Sequence, residues 1–234
     1  MEYSKRHVKA ISSTNSYLKE NADSLSSPLF LRAEYQSAGK GRESRSWVAE
    51  EGKNLLFSLL IKEKKIVSYG GFLSLVSSVI IAKELEKLGI AGISIKWPND
   101  IYVYGKKAVG ILLEGRLPDF LVIGMGINVN ETSFLGEYRI RPTSLALELG
   151  REIDIDELEA NIEDSIYEAL YMGEIDKAAY LAYYSSHDYL RGKIGIAKAL
   201  KKEGTIIGVD EEYNLLLQTD EGVIHLSSGE VDIH

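Results

Sequence analysis

Lys40, Arg42 and Arg45 fall within one short stretch, Gln36-Ser37-Ala38-Gly39-Lys40-Gly41-Arg42-Glu43-Ser44-Arg45-Ser46-Trp47. It has no aliphatic residue beyond Ala38, so it is no core strand. Two glycines flank the lysine, which lets the backbone bend and approach a ligand closely. Three cations on such a loop suit an anion, most simply a phosphate or a carboxylate. The spacing is not that of a nucleoside-triphosphatase phosphate loop, and Ser44 breaks the dinucleotide fingerprint. From the residues alone, a basic surface loop is an equally good reading.

Other segments carry chemistry-bearing residues. Lys96-Trp97-Pro98-Asn99-Asp100 closes an apolar run. A Pro-Asn-Asp turn accounts for its second half but leaves Lys96 and Trp97 unexplained. In the run Lys107 to Leu113, period-2 alternation puts Lys107 on one face with Val109, Ile111 and Leu113. Lys107 either snorkels to water from the strand mouth or is held in a site facing an anion. Gly110 falls on the other face, where a missing side chain admits a ligand or another backbone. Gly124-Met125-Gly126-Ile127-Asn128-Val129-Asn130 reads as a strand end or as an amide-lined pocket with Asn128 as donor. The acidic run from Glu152 to Asp164 reads as a solvated helix face, not a metal site. Its anions gather near the N-terminus, where the helix dipole favours them.

Composition bounds the partners. Lys+Arg 27 against Asp+Glu 35 gives a net charge of -8 over 234 residues. That opposes broad nucleic-acid binding, which needs a basic face. With 0 cysteines, disulfides, thiolate nucleophiles and thiolate metal sites are excluded. The four histidines, His7, His187, His225 and His234, do not pair at metal-ligand spacing. The first residues lack the apolar core of a signal peptide. The longest apolar region, Phe72 to Ala82, is interrupted by serines and too short for a bilayer, so a cytoplasmic protein is expected.

The elements that must position these residues follow from pattern. Ser13-Thr14-Asn15 caps a short helix through Glu20. Leu29 to Glu34 reads as a strand, and Leu55 to Ile61 as one buried on both faces. Tyr69 to Leu88 has helical periodicity and stops at Gly89. Ile93 to Trp97 is a short strand. Ile101 to Tyr104 and Lys107 to Leu113 form a hairpin across Gly105-Lys106, glycine first, as a type II′ turn requires. Phe120 to Met125 is a further strand. Helices are expected over 144–149, 155–172 and 176–185, with Asp154 to Glu157 resembling a capping box. After His187, short apolar runs with glycine punctuation predict a small all-β unit, marginal alone and packed on the first domain.

The order of Ser13-Thr14-Asn15, Gln36 to Arg42, Trp47, Lys96 to Asp100, Lys107 with Gly110-Ile111-Leu112, and Gly124 to Val129 resembles the biotin protein ligases. The likeness runs from residue 13 to about residue 130, and the tail from Gly204 to Leu217 looks like that family's small C-terminal domain. It implies an α+β fold. Residues 1–187 would form a class II aminoacyl-tRNA synthetase-like catalytic domain, a mixed sheet flanked by helices. Residues 188–234 would form a small SH3-like β-barrel.

The activity implied is ATP-dependent. Biotin and ATP with Mg²⁺ give biotinyl-adenylate and pyrophosphate, and biotin passes to a lysine of a biotin carboxyl carrier protein domain. Arg42 and Lys107 would be catalytic. Ser13, Thr14, Asn15, Gln36, Gly39, Lys40, Gly41, Arg42, Lys107 and Gly110 match biotin-contacting positions. Arg42, Arg45, Trp47, Asn99, Lys107 and Asn128 would bind ATP or the adenylate. Asp100 would meet Mg²⁺ through water or phosphates. Tyr102 and Tyr104 are expected beside the valeryl chain. The loop from Gly39 to Trp47 is expected to be mobile when empty and ordered over the ligand.

Lys40 stands where arginine is commoner, and Glu43 where a basic or small residue is usual. Lysine keeps the charge but loses the bidentate fork. About a dozen residues precede Ser13, so no helix-turn-helix repressor module is expected, and a homodimer through an exposed strand edge is a family expectation. The nearest rival is a lipoate-protein ligase of the same fold; the Lys-Trp-Pro-Asn-Asp segment favours biotin.

Overall fold

The computed structural model describes residues 3–43, 45–134, 138, 140–198, 200–227, 229 and 231–233. Ser44 and His234, both named above, lie outside them. The chain opens with β1 (Ser4–Ile11), α1 (Thr14–Glu20), β2 (Leu29–Gln36) and β3 (Leu55–Ile61). A short α2 (Lys64–Val67) leads to the long α3 (Phe72–Lys87), then β4 (Ile93–Lys96), β5 (Asp100–Val103), β6 (Lys106–Arg116) and β7 (Phe120–Ile127). Helices α4 (Leu145–Leu149), α5 (Ile155–Tyr171) and α6 (Lys177–His187) follow. The chain ends with β8 (Ile194–Ala197), β9 (Lys202–Val209), β10 (Leu215–Thr219), β11 (Gly222–Leu226) and β12 (Val231–Ile233).

The strands form two sheets in a mixed α+β fold. The first runs β1-β2-β3-β7-β6-β5-β4, with β1 parallel to β2 and the other pairs antiparallel. The second runs β11-β10-β9-β8-β12 and is antiparallel throughout. Strand β3 is buried at every position, because both faces of the large sheet are covered. Alternation assigns the faces. Phe30 and Phe57 join the core under α3, whereas Leu29, Leu31, Leu60 and Val122 pack with Leu18 of α1. Helix α3 lies between the sheet and α5 and α6, so nearly all of it is buried and it lacks an amphipathic stripe. The second sheet shares this core: Ile206, Tyr213, Leu215 and Leu217 belong to the same apolar cluster as Trp97 and Tyr184. Among the described residues no helix is long and apolar enough to cross a membrane.

Several sequence expectations change. Strand β1 escapes periodicity because it is an edge strand, exposed along most of its length. The β5–β6 turn is Tyr104-Gly105, not Gly105-Lys106, since Val103 pairs with Lys106. Both turn residues have positive φ, 48° and 74°, which defines type I′. Tyr104 is held there by its ring against Gly92 and by its N–H bond to the Gly92 carbonyl.

The acidic run is not merely solvated. Asp154 caps α5, accepting from the N–H of Asp156 and Glu157 at 2.9 and 3.0 Å. Asp156 and Glu159 receive the buried Arg32 guanidinium at 2.5 and 2.7 Å. Glu163 is buried against Lys5 of β1. These acids clasp the sheet edge to α5.

Candidate active site

The register of β3, β7, β6 and β5 lays out the floor of a cleft on the α1 side of the large sheet. One row reads Leu56, Gly126, Gly110, Asp100; the next reads Ser58, Gly124, Leu112; the third Leu60, Val122, Glu114. Glycines occupy the positions where something lies directly on the backbone. A Cβ on Gly110 or Gly126 would fall 2.7 or 2.6 Å from the Trp47 ring, and one on Gly124 would fall 2.1 Å from Asn15. Trp47 thus rests on the first row and Asn15 on the second.

The loop that carries Trp47 is a small hairpin. Lys40 bridges Ser46, the Gly41 N–H donates to the Arg45 carbonyl at 2.7 Å, and the Trp47 N–H donates to Gly39 at 2.9 Å. Gly39 is required sterically, since a Cβ there would fall 2.5 Å from the Trp47 carbonyl oxygen. Glu43 takes a left-handed φ of 54° at the turn and pairs with Arg45 at 3.7 Å.

Lys107 sits at the polar end of the first row. Its Nζ lies 2.7 Å from Asp100 and 5.5 Å from the Trp47 ring centroid. The strand pattern placed it opposite Gly110; the structure puts both on the cleft face. A β-bulge is the cause: Ile101 pairs with Val109 but Tyr102 pairs with Lys107, so the alternation slips by one between them. Ala108 and Val109 are consequently both buried, and the Lys107 Cε comes within 3.4 Å of a Cβ on Gly110.

The Lys96 to Asp100 segment is fixed by the second sheet. The Trp97 indole N–H donates to the Tyr213 carbonyl at 2.9 Å, and the Tyr213 hydroxyl donates to the Pro98 carbonyl at 3.2 Å. Burial, and then the charges of Asp188 and Asp100, push that phenol far above its ordinary range, so it stays a donor. Asn99 exchanges bonds with Ile111, Nδ2 to O at 2.6 Å and N–H to O at 2.8 Å. Arg42 donates to the Gly229 carbonyl at 3.2 Å, so the loop also touches the second sheet.

At the opposite end, Ser13 caps α1 and presents Thr14 and Asn15. Gln36 Oε1 accepts from Thr14 N–H at 2.7 Å. Ser13, Thr14, Asn15, Gln36, Lys40, Gly41, Arg42, Arg45, Trp47, Asn99, Asp100, Lys107 and Gly110 all line one cavity of about 150 Å³. Four expectations fail on placement. Gly39 borders a neighbouring pocket with Ala38 and Glu114 and does not line this cavity. Asn128 is buried behind the strands, donating to the Thr143 carbonyl at 3.0 Å, and does not line the cavity. Tyr102 packs edge-on to Tyr189 inside the core, and Tyr104 is exposed at the turn. Sequence reading assigned no site role to Ser58, Gly124 or Leu112, which line the cavity, or to Glu114, just outside it. Ser58 had a signal, being the one polar residue in Leu55 to Ile61. Among the described residues, no cluster of three or more acids and histidines could hold a metal.

The sequence profile of the Biotin/lipoate A/B protein ligase family matches residues 7–129, more than half of the chain. The chain belongs to the biotin/lipoate A/B protein ligase family. The biotin protein ligase C-terminal domain profile matches residues 198–233, which hold the strands of the second sheet except β8. The bifunctional ligase/repressor BirA of Escherichia coli K12 is 32% identical over 231 residues, spanning 95% of this chain and 72% of that protein. The Bacillus subtilis protein of the same name is 31% identical, spanning 86% and 65%. A solved structure, the biotin protein ligase from Aquifex aeolicus in complex with biotin and ATP, superposes with a TM-score of 0.83 at 28% identity, over 99% of this chain and 98% of that one.

Proposed function

We propose that the protein is an ATP-dependent biotin protein ligase. It joins biotin to ATP as biotinyl-5′-AMP, releasing pyrophosphate, and transfers biotin to a lysine of a biotin carboxyl carrier protein domain. The observation that carries this reading is the cleft's polarity. One end holds neutral hydrogen-bonding groups, Thr14, Asn15, Ser58 and Gln36; the other holds Arg42, Lys107 and Asp100. That matches a ligand with a neutral polar ring and an anionic tail meeting a polyphosphate.

Adenylation requires a carboxylate oxygen to attack the α-phosphorus as the bond to pyrophosphate breaks. Two anions must meet, and the protein supplies no nucleophile. Its work is positioning and charge neutralisation. Lys107, oriented by Asp100 and by the Trp47 face, neutralises the meeting oxygens together with Arg42. Asp100, the carboxylate lining the cavity, would help hold Mg²⁺ brought with ATP, whose chemistry would be to neutralise phosphate charge. Asn99, through its ties to Ile111, and Arg45 border the nucleotide. In the second step a carrier lysine amine attacks the acyl carbon and AMP leaves.

The cavity's 150 Å³ is below the roughly 300–1,000 Å³ of small-molecule sites. A second pocket of about 650 Å³ shares Lys40, Gly41, Arg42, Arg45 and Ser46 with it, so a shift of the hairpin that joins the two would admit both substrates, and its return would cover the anhydride from water. We assign residues 1–187 to a catalytic domain of class II aminoacyl-tRNA synthetase type and 188–234 to an SH3-like barrel. The test is incubation with α-labelled ATP and biotin, with lipoate as control. Labelled biotinyl-adenylate is expected; a lipoyl product of equal yield would overturn the assignment.

A further inference from the structure

Resting on that reading, the neutral end of the cleft, opposite Lys107, holds a directional chain of hydrogen bonds. It starts at Glu114, outside the cavity wall, which pairs with Lys19 of α1. Asn15 Nδ2 lies 3.0 Å from Glu114 Oε2 and 3.2 Å from the Leu112 carbonyl. A carboxylate and a carbonyl only accept, so both Asn15 N–H groups are committed and its Oδ1 must point the other way. That oxygen accepts the Ser58 hydroxyl proton at 2.6 Å. Ser58 and Thr14 hydroxyls are 2.7 Å apart. Ser58 has given its proton to Asn15, so the single Thr14 hydroxyl proton goes to Ser58 at 2.7 Å and not to Gln36 Oε1, which lies farther off at 3.0 Å.

Two consequences reach the cavity. Thr14 Oγ1, its proton spent, is left as an acceptor. Gln36 Oε1 is held by the Thr14 N–H at 2.7 Å, so the amide NH₂ is the part of Gln36 that remains to donate. An acceptor beside a donor is the complement of a ureido edge, N–H beside C=O. A dithiolane ring offers neither.

We propose that Glu114 and Ser58 are positioning residues that set this direction and thereby select a ring bearing N–H donors. Glu114 meets the requirement of staying ionised. Burial raises its pKa, but the bonds from Lys19 and Asn15 and the Lys19 and Lys40 charges outweigh it, so the net shift is downward. A neutral amide in its place could donate to Asn15, let that amide flip and reverse the whole chain.

The test is calorimetric titration of the full-length protein with biotin and with biotin N-methylated on either ureido nitrogen. Glu114→Gln should weaken biotin about tenfold, as expected for one misdirected buried hydrogen bond. It should leave the analogue methylated on the Thr14-facing nitrogen nearly unchanged, so that discrimination between the two collapses. In pyrophosphate exchange the loss should appear in the KM for biotin and not in kcat. Ser58→Ala interrupts the same chain with a change of one buried atom. It should show the same collapse if Glu114→Gln fails to fold. Equal weakening of both ligands, or an unchanged ratio in both variants, overturns the relay. A wild-type protein that binds no biotin overturns the function itself, a distinguishable result.

Discussion

Glu163 gives the sharpest quantitative prediction. It lies on α5 with its side chain 1% exposed, facing Lys5 of β1. Burial pushes its carboxyl up from 4.5 to about 7, the Lys5 bond and charge oppose this, and the charges of Glu159 and Asp164 add to the rise. Tyr3 bonds Asp164 at 2.5 Å.

An acid whose pKa is raised on folding binds its proton more tightly in the native state. Its stabilising contribution is full below pH 4.5 and is lost as pH rises through about 7. At about 1.4 kcal/mol per pH unit, that interval is worth about 3 kcal/mol. The perturbation is Glu163→Gln, which keeps the shape and removes the titration. Lys5, half exposed, can turn to water when its partner is neutral. Urea unfolding of both proteins from pH 4 to 8.5 gives the difference curve, which cancels the other carboxylates and the histidines. The variant should gain on the wild type as pH rises, by about 3 kcal/mol between the two limits. A flat difference curve, or one of opposite slope, refutes the assignment of this group.

Other outcomes follow from the site. Lys107→Ala should cut biotin-dependent pyrophosphate exchange by at least about 100-fold, as for loss of one preorganised charge donor; near-normal exchange rejects its role. Arg42→Gly removes the contact with Gly229 and one of the two cations at the meeting oxygens; it should slow adenylation less than Lys107→Ala does and release the adenylate it makes, seen as biotinylation of unrelated lysines. Tight retention of adenylate counts against Arg42 as clamp. Gly126→Ala puts a methyl 2.6 Å from the Trp47 ring and should cost about 1–3 kcal/mol by overpacking. In a Trp97→Phe background the Trp47 emission should shift to the red, and an unchanged spectrum would mean the ring does not rest there.

Much of this was legible in the chain. Strand β3, helix α3 and the Ser13 cap follow from local apolar patterning and capping chemistry, which act over a few residues. The ordered motifs, Ser13 to Asn15, Gln36 to Trp47, Lys96 to Asp100 and Lys107, named the groups that line one cavity. What failed depended on partners far away. The phase of Lys107 was lost at a bulge that only the pairing with β5 reveals. Asn128 read as a pocket donor until Thr143, beyond a long connection, claimed its amide. Strand β1 and Glu163 are explained only by each other's neighbourhood.

The sequence by itself determined which atoms are available: a cationic glycine loop, no thiol, an acidic body and a ligase-like order of motifs. The tertiary structure decided their direction. The Gly110–Gly126 row becomes a seat only when Trp47 lies on it. Trp97 becomes a tie only when Tyr213 of the second sheet arrives. The proton order from Glu114 to Thr14 exists only because β3, β6, β7 and α1 converge. Residue types fix donors and acceptors, but a hydrogen bond's direction depends on both partners, and those partners are brought together only by the fold.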